Sequence, residues 1–324
     1  MNRHRIPATT VRRVVELATR APSVHNTQPW RWLWTGETLE LHADRGRQLH
    51  ADPEGRNLVI SCGAALHHAE VAADSCGWAT TVARYPEPDG PDLLARLTFA
   101  PAHASETAAE AVEAIERRCT DRRRFTSWPV PAERLTRLAA VAKSRGARAL
   151  PLVDASERYH AELLISRAID RQRADADVTG EEVSWVDHSA HDGIPAAALP
   201  GSYQLASGSP SRFTSGLVDD TGGQDLEGSD GLIVMFSPND DEAAWLTAGE
   251  GLSALWLAAT TAGLSVVPLS QVVEVPETRE AFRAEVLGSL ARPLLVLRLG
   301  WQEISRSQLP RTPRRPVDEV LELR

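Results

Sequence analysis

Cysteine is scarce in this chain of 324 residues, which contains only Cys62, Cys76 and Cys119. The number is odd, and no CxxC pair or close Cys/His spacing occurs. The sequence therefore disfavours both a disulfide framework and a structural zinc site. Because free thiols are typical of a reducing compartment, we expect a cytoplasmic protein.

The chain also lacks the features of a secreted or membrane-spanning protein. Its first twenty residues carry charges at amphipathic spacing and have no apolar core. One uncharged stretch, 251–273, is long enough to cross a bilayer, but Pro268 and several polar residues interrupt it. We predict instead a buried helix that leads into a buried strand, and no contact with a membrane.

An excess of positive charge is missing as well. The formal net charge is −9, so the chain as a whole has no general attraction to nucleic acid. The basic tail segment RTPRRP (311–316) leaves a nucleic-acid binder open as an alternative, which the net charge disfavours. A length of 324 residues allows one large domain or two ordinary ones.

Common catalytic signatures are absent. The sequence contains no GxSxG nucleophile turn, no Walker loop and no Rossmann GxGxxG element. His188, His191 and Asp192 form a single cluster in a predicted loop. A catalytic zinc site usually takes three protein ligands that are held rigidly, so we expect no metal.

What the sequence does contain is a mixture of helical and strand periodicities. Helices are predicted over about 9–20, 55–76, 108–119, 131–144, 156–176, 242–262 and 276–287. Strands are predicted at WRWLW, LELHAD, TTVARYP, ARLTFAPA, ARALPLVD, GLIVMFSP, SVVPLS and PLLVLRLGW. The stretch 200–230 is rich in Gly, Ser and Asp and is predicted to be a long loop, either a functional cover or disordered.

A polar turn follows the first predicted helix. The segment PSVHNTQPW (22–30) places Ser23, Asn26 and Gln28 between a helix end and a strand. Amide side chains both donate and accept hydrogen bonds, which suits the uracil-like edge of a flavin ring. The simpler interpretation is a capped helix end and a turn, where Ser, Asn and Pro are common.

Two basic segments stand out in an acidic chain. The segment ERRCTDRRRF (116–125) places guanidinium groups and a hydroxyl at a helix end, where they could hold a phosphate by charge-assisted hydrogen bonds. A solvated basic face is the alternative interpretation. The second segment, 311–316, is stiffened by its prolines and could dock across the molecule.

The chain contains a weak internal repeat. Residues 63–78 align without gaps on 249–264, and both segments are predicted helices that close on Gly and lead into a strand. The identical pairs are Gly63/Gly249, Leu66/Leu252, Ala72/Ala258, Ala73/Ala259 and Gly77/Gly263. Chance, or a shared demand for small packing residues, is the alternative to duplication.

Taken together, these elements resemble the nitroreductase superfamily, and most of all its actinobacterial Acg-like subgroup. APSVHNTQPW is similar to the PSxxNxQPW element of that superfamily, and ERRCTDRRRF is similar to its RRSxRxF element. The segment 245–271 resembles the helix and strand that follow, and RTPRRP resembles the C-terminal basic element. The likeness extends over nearly the whole chain.

The resemblance implies an α+β, nitroreductase-like fold made of two fused half-copies. In ordinary nitroreductases the Arg/Ser element precedes PSxxNxQPW, and two flavin sites form between the subunits of a dimer. Here the order is reversed and each element occurs once. We therefore expect an internal pseudo-dimer with one FMN site, an N-terminal half over 1–105, and a C-terminal half over 106–324 with a lid at about 181–230.

The resemblance also implies roles for individual residues. We expect Arg118, Thr120 and Arg314 to hold the FMN phosphate, with Arg311 as an additional contact, and Arg122 to face the carbonyl edge of the ring. The ribityl chain and ring would lie against Ser23, Asn26 and Gln28, and the ring N5 near Ser270 and Gln271.

The implied activity is that of a flavin oxidoreductase. NAD(P)H would reduce FMN, and a small nitro compound, quinone or related acceptor would reoxidise it, without a catalytic side chain. The alternative is a stress-response protein that sequesters FMN under its lid with little or no turnover. Either protein would be a monomer or a weak homodimer, because the pseudo-dimer removes the usual reason to pair.

Overall fold

The computed structural model describes residues 5–87, 90, 92–123, 125–199, 229–302 and 310–324. Helices and strands alternate along it, as the periodicities predict. The elements of the first part of the chain are α1 (Ala8–Ala18), β1 (Trp30–Trp34), β2 (Leu39–Ala43), α2 (Arg56–Ser75), β3 (Trp78–Arg84) and β4 (Leu93–Pro101).

The second part of the chain is longer and carries additional helices. Its elements are α3 (Ala108–Arg117), α4 (Ala132–Ser144), β5 (Arg148–Pro151), α5 (Ala155–Arg173), α6 (Ala176–Ser184), β6 (Gly231–Ser237), α7 (Glu242–Thr261), β7 (Leu264–Leu269), α8 (Gln271–Glu274), α9 (Pro276–Glu285), β8 (Arg292–Trp301), α10 (Val317–Val320) and β9 (Leu321–Leu323). The α+β class predicted from the sequence is confirmed.

The helix ends follow local chemistry. Asp154, Asp175 and Asp241 each accept backbone N–H hydrogen bonds at the start of α5, α6 and α7, which satisfies donors that a helix leaves unpaired. Helix α5 ends at Arg173, close to the end of the helical segment predicted over 156–176, and the cap at Asp175 starts α6. At the other end, Gly77 follows α2 with a φ of 78°, the left-handed conformation that favours glycine at this position.

Two sheets carry the strands, in the orders β3-β4-β2-β1-β9 and β5-β6-β8-β7. All pairings are antiparallel except that of β9, which lies parallel to β1 with Trp32 opposite Leu321. The sequence predicts no strand in the tail, so β9 is a finding of the structure. Its pairing fixes the C-terminus to the N-terminal sheet.

The two sheets share one topology. The order β3-β4-β2-β1 in the first sheet corresponds to β7-β8-β6-β5 in the second. Adding 186 to the first and last residue numbers of α2 gives those of α7, and the same offset relates the starts of β3 and β7. This is the offset of the repeat read from the sequence.

Helices α2 and α7 pack against each other at the centre of the molecule. A Cβ placed on Gly63 would lie 2.1 Å from the carbonyl oxygen of Leu246, and one placed on Gly249 would lie 2.0 Å from that of Ile60. The offset relates Gly63 to Gly249 and Ile60 to Leu246. The contact is therefore reciprocal, as across a two-fold axis.

The outer faces of the two sheets differ. Helix α5 lies on the second sheet, where its Leu164 and Ile169 share a buried cluster with Leu232 of β6 and Phe282 of α9. Strand β3 of the first sheet is only partly buried along its length. The uncharged stretch from 251 forms the buried part of α7 and then β7, and within the described ranges no helix has the length and apolarity to cross a membrane.

The reciprocal glycine contact predicts that a single methyl group is costly there. In Gly63→Ala or Gly249→Ala, the added Cβ meets backbone that cannot move independently, so we expect each change to lower the free energy of unfolding by about 1–3 kcal/mol. Thermal or urea unfolding measures the loss.

Gly180→Ala is the matched control, because a Cβ at this position in α6 would meet nothing within 4 Å. It should leave stability unchanged or raise it by up to about 1 kcal/mol, because alanine is the better helix former. Equal stabilities of the three variants and the wild type would contradict the close helix contact.

Candidate functional site

The polar turn after α1 adopts an uncommon backbone. His25, Asn26 and Gln28 have φ values of 49°, 57° and 50°, in the left-handed region that residues other than glycine seldom occupy. The Ser23 hydroxyl accepts a hydrogen bond of 3.0 Å from the Gln28 backbone N–H and closes the turn. Conformations of this kind persist only where surrounding contacts hold them, and they cluster at functional sites.

Those contacts come from two distant segments. The Asn26 side-chain amide donates to the carbonyl oxygens of Gly193 at 2.9 Å and Pro313 at 3.0 Å. The Gln28 amide donates to the His191 carbonyl at 2.9 Å, and its oxygen accepts from the Arg315 backbone N–H at 2.9 Å. The turn is thereby joined to the C-terminal tail and to the segment after α6.

Two arginines from separate segments meet beside the turn. Arg118, directly after α3, and Arg314, in the tail, both donate to the backbone carbonyl of Arg20, at 2.9 Å and 3.3 Å. Arg314 also donates to the Asn26 side-chain oxygen at 3.0 Å and to the Thr312 hydroxyl at 2.6 Å. Segments almost 200 residues apart in sequence converge at one point.

These two guanidinium groups are deficient in negative partners. Neither forms an ion pair with a carboxylate of the described chain, and the Nε atom of each is buried without a hydrogen-bond partner there. Burial lowers the pKa of Arg118 to about 10 and, with help from the charge of Arg118, lowers that of Arg314 to about 9. The Arg118 guanidinium also stacks 4.6 Å from the ring centre of Trp256.

Buried charge without a counter-charge is costly, so this arrangement is suited to an anion. A phosphate offers several oxygen acceptors and can take charge-assisted hydrogen bonds from both guanidinium groups at once. The unpaired Nε atoms of Arg118 and Arg314 show that donors are available for that purpose. The residues therefore fit the phosphate of FMN.

A second group of charges lies near His25. Burial, followed by the positive charge of Arg122, lowers the pKa of His25 to about 3, so the ring is neutral. Burial also lowers the pKa of Arg122 to about 10, against the opposing effect of Glu182. Burial raises the pKa of Glu182 to about 8, and the nearby Glu274 carboxyl acts in the same direction.

Ser270 and Gln271 lie at the start of α8, next to Glu274. The Glu274 carboxyl accepts hydrogen bonds from the Asn57 amide at 2.7 Å and the Gln172 amide at 2.6 Å. Desolvation raises its pKa, which the hydrogen bonds from Gln172 and Ser270 partly offset. The Gln271 side-chain oxygen is buried and has no hydrogen-bond partner among the residues described.

The remaining predicted contacts, Thr120 and Arg311, lie at the periphery of this region. Thr120 is partly buried two residues after Arg118, and Arg311 is exposed. Desolvation raises the pKa of the exposed Cys119, and the positive charge of Arg311 acts against that rise. The structure thus brings Arg118 and Arg314 together at the Arg20 carbonyl and joins Arg314 to Asn26 of the polar turn, and it records no such contact for Thr120 or Arg311.

Several groups of this region could not be predicted from the sequence. The Arg20 carbonyl is a backbone acceptor that no motif marks. Glu182 stands beside Glu181, whose carboxylate accepts the His50 and Ala51 backbone N–H groups, and nothing in the sequence tells which of the two acids is buried. In the sequence, Trp256 is distinguished only as a large residue within a helix of many small ones.

The cluster of His188, His191 and Asp192 forms hydrogen bonds and ion pairs within the chain. Asp192 accepts hydrogen bonds from His188 at 2.7 Å and Ser189 at 2.5 Å, and it pairs with Arg47. Burial alone would raise the pKa of Asp192, but these hydrogen bonds lower it to about 2. Over the ranges that the structure covers, no three His, Cys, Asp or Glu side chains are arranged to hold a metal.

A cavity of about 330 Å³ opens at the corner between β6 and α7. Its lining includes Arg148, Asn239, Asp241 and Thr247, and none of the residues that the sequence marked for a cofactor. The cavity is therefore separate from the arginine pair and the turn, which form the candidate site.

Comparison with known proteins gives the family. No protein-family model matches the chain. The chain is 39% identical to "Putative NAD(P)H nitroreductase Rv3131" of Mycobacterium tuberculosis, over 99% of its own length and 94% of that protein. It is 32% identical to "Putative NAD(P)H nitroreductase acg" of the same species, over 97% and 96%. The chain belongs to the Acg-like nitroreductase family.

The family and subgroup expected from the sequence are thus confirmed. Solved structures also overlap the Acg-like chain, although loosely. The FMN-dependent nitroreductase NfnB from Mycobacterium smegmatis, in complex with NADPH, is 19% identical and matches 64% of this chain and 96% of its own, with a TM-score of 0.40. Because that score is low, the family assignment stands on sequence identity alone.

The buried acid Glu182 predicts a pH dependence of stability. Its folded pKa of about 8 lies above the ordinary 4.5, so folding takes up a proton between these values and stability falls as the pH rises through that window. In Glu182→Gln this loss is removed. The free energy of unfolding of the variant, relative to wild type, should therefore rise by more than about 1 kcal/mol from pH 5 to pH 8.

Urea unfolding at both pH values measures this difference. Glu133→Gln, an exposed site on α4, is the control for losing one negative charge. It should follow the wild-type pH profile. If Glu182→Gln also follows that profile, the acid does not hold its proton in the folded state.

Proposed function

We propose that this Acg-like nitroreductase binds FMN and passes hydride from NAD(P)H to a small nitro, quinone or related acceptor. The observation that carries the proposal is the convergence of Arg118 and Arg314 on the Arg20 carbonyl, with no carboxylate of the described chain to neutralise them. When bound, FMN supplies the reversible hydride chemistry, and the chain supplies binding, orientation and electrostatics.

The phosphate would replace the Arg20 carbonyl as the main acceptor for both guanidinium groups. That exchange gives each charge an opposite partner, which the carbonyl dipole provides only weakly. Thr120 and Arg311 are proposed as additional phosphate contacts, since they flank Arg118 and Arg314 in sequence. The NAD(P)H reductant would stack on the flavin and requires no separate dinucleotide domain.

The ring and ribityl chain would lie against the polar turn. The left-handed backbone at His25, Asn26 and Gln28 supports this placement, since strain of that kind concentrates at binding sites. Ser23 belongs to the same turn. We assign the carbonyl edge of the ring to Arg122, and the N5 edge to Ser270 and Gln271.

The proposed site lies within one chain because the chain is an internal pseudo-dimer. The matching strand orders of the two sheets and the offset of 186 residues between α2 and α7 support halves over 1–105 and 106–324. The turn comes from the first half and Arg118 and Arg314 come from the second. A monomer or a weak homodimer in the cytoplasm would therefore carry one complete site.

A second candidate function has its own supporting observation. The segment 188–194 lies directly on the turn, since Gly193 and His191 accept hydrogen bonds from Asn26 and Gln28. A site covered in this way favours sequestration of FMN with little turnover, as in a stress-response store. The lid was predicted over 181–230, and its part 200–228 lies outside the described residues.

Loss of the arginine pair should abolish flavin binding. Arg118→Ala combined with Arg314→Ala removes both proposed phosphate contacts and two buried unpaired charges, so we expect a folded protein that purifies without the visible absorption bands of a flavin. The control is Arg12→Ala with Arg13→Ala, two half-exposed arginines on α1. Stoichiometric FMN in the Arg118/Arg314 double variant would overturn the proposed site.

Rapid mixing separates turnover from storage. If the protein is an oxidoreductase, NADPH or NADH should bleach the bound flavin quickly, and a nitroaromatic compound or a quinone should restore its colour. Bleaching by dithionite but not by either nicotinamide would instead support sequestration. A purified wild-type protein that takes up no FMN would contradict both functions.

A further inference from the structure

We propose that His68 is a third ligand of the bound phosphate, which it contacts through a neutral imidazole N–H alongside Arg118 and Arg314. The inference rests on the proposed FMN function and adds a residue that lies in neither the Arg-rich segments nor the polar turn. His68 belongs instead to the central helix α2, near the close contact with α7.

The position of His68 brings it to the same helix end as the arginine pair. Its side chain is fully buried and lies close to the Leu17 carbonyl, in the last full turn of α1. Three residues later, the Arg20 carbonyl accepts hydrogen bonds from both Arg118 and Arg314. The charges of both arginines act on the His68 ring.

Four buried polar atoms are left without partners at this place. Neither ring nitrogen of His68 forms a hydrogen bond of ordinary geometry with a described residue, and the same holds for Nε of Arg118 and Nε of Arg314. Buried polar groups are nearly always paired, so a cluster of unpaired ones needs an explanation. One oxyanion with several lone pairs can accept from all three side chains.

The neighbouring histidine shows that this is not a general property of α2. His67 is also buried, but its Nδ1 atom lies 2.7 Å from the Ser253 hydroxyl of α7 and forms a hydrogen bond with it. His67 therefore has a structural partner across the helix contact. His68 has no side-chain partner of this kind: the Leu17 carbonyl lies close to its ring, but no described residue completes a hydrogen bond of ordinary geometry with either nitrogen.

The charge balance favours a neutral third ligand. Burial, then the charge of Arg118, and further the charges of His67 and Arg314, lower the pKa of His68 well below its ordinary value of 6.5, while the Leu17 carbonyl opposes them slightly. A phosphomonoester carries close to two negative charges at pH 7. Two guanidinium groups balance that charge, and a neutral ring adds a hydrogen bond without a third positive charge.

Comparing FMN with riboflavin tests this assignment, because riboflavin has the same ring and ribityl chain but no phosphate. Flavin-free protein is titrated with each compound, and fluorescence quenching gives the two affinities. In His68→Leu we expect FMN affinity to fall by about tenfold or more, the effect of one hydrogen bond to a charged group, with riboflavin affinity unchanged. His67→Leu is the matched control and should keep the wild-type ratio of the two affinities.

The outcomes separate this inference from the proposed function. If wild type prefers FMN over riboflavin and His68→Leu keeps that preference, His68 is not a phosphate ligand, and the FMN function stands. If wild type binds FMN no better than riboflavin, the phosphate site and the role of His68 are both overturned; if it takes up no FMN at all, the proposed function is overturned as well.

A measurement on wild type decides the matter if His68→Leu does not fold. In protein labelled with ¹⁵N-histidine, FMN should produce a protected imidazole N–H resonance that riboflavin does not. Identical imidazole spectra with the two flavins would overturn the assignment.

Discussion

The close approach of α2 and α7 is the constraint on which the rest of the molecule depends. Two glycines, Gly63 and Gly249, let the helix backbones touch, and each helix then carries its own sheet on the outside. Because the contact is reciprocal, it sets the relation between the two helices and their sheets. That relation places the end of α1 next to Arg118, which follows α3. A bulkier residue at the crossing would separate α2 from α7 and disturb the groups that meet at the candidate site.

The candidate site contains two positive charges that no described carboxylate balances. Arg118, which is buried, and Arg314, which is partly buried, both donate to the Arg20 carbonyl just after α1, and no described carboxylate pairs with them. By contrast, the buried charges of Glu250 and Arg298 are paired, with Arg84 and Asp230 respectively. The contrast supports the proposal that the arginine pair binds an anionic ligand.

Much of this could be predicted from sequence, where the signal is local. The ends of α2 and α7 follow from Gly77 and Gly263, and the periodicity of WRWLW and LELHA gives the first hairpin. Strand β9 could not be predicted, because three residues carry no periodicity and their partner lies almost 290 positions away. The hydrogen bonds that join the Asn26 and Gln28 amides to 191–193 and to the tail could not be predicted either. A side-chain hydrogen bond depends on which distant backbone segment lies beside the side chain. The roles assigned to individual site residues stay predictions.

The parallel pairing of β9 with β1 has a consequence for how the molecule assembles. The last strand ends at Leu323, one residue before the C-terminus, and it is the element that holds Arg314 and the tail beside the turn. Because β9 and β1 lie almost 290 positions apart, the first sheet gains this outer strand only when the two ends of the described chain meet. Loosening that pairing would release the tail from the turn, whereas the packing of α2 against α7 does not depend on it.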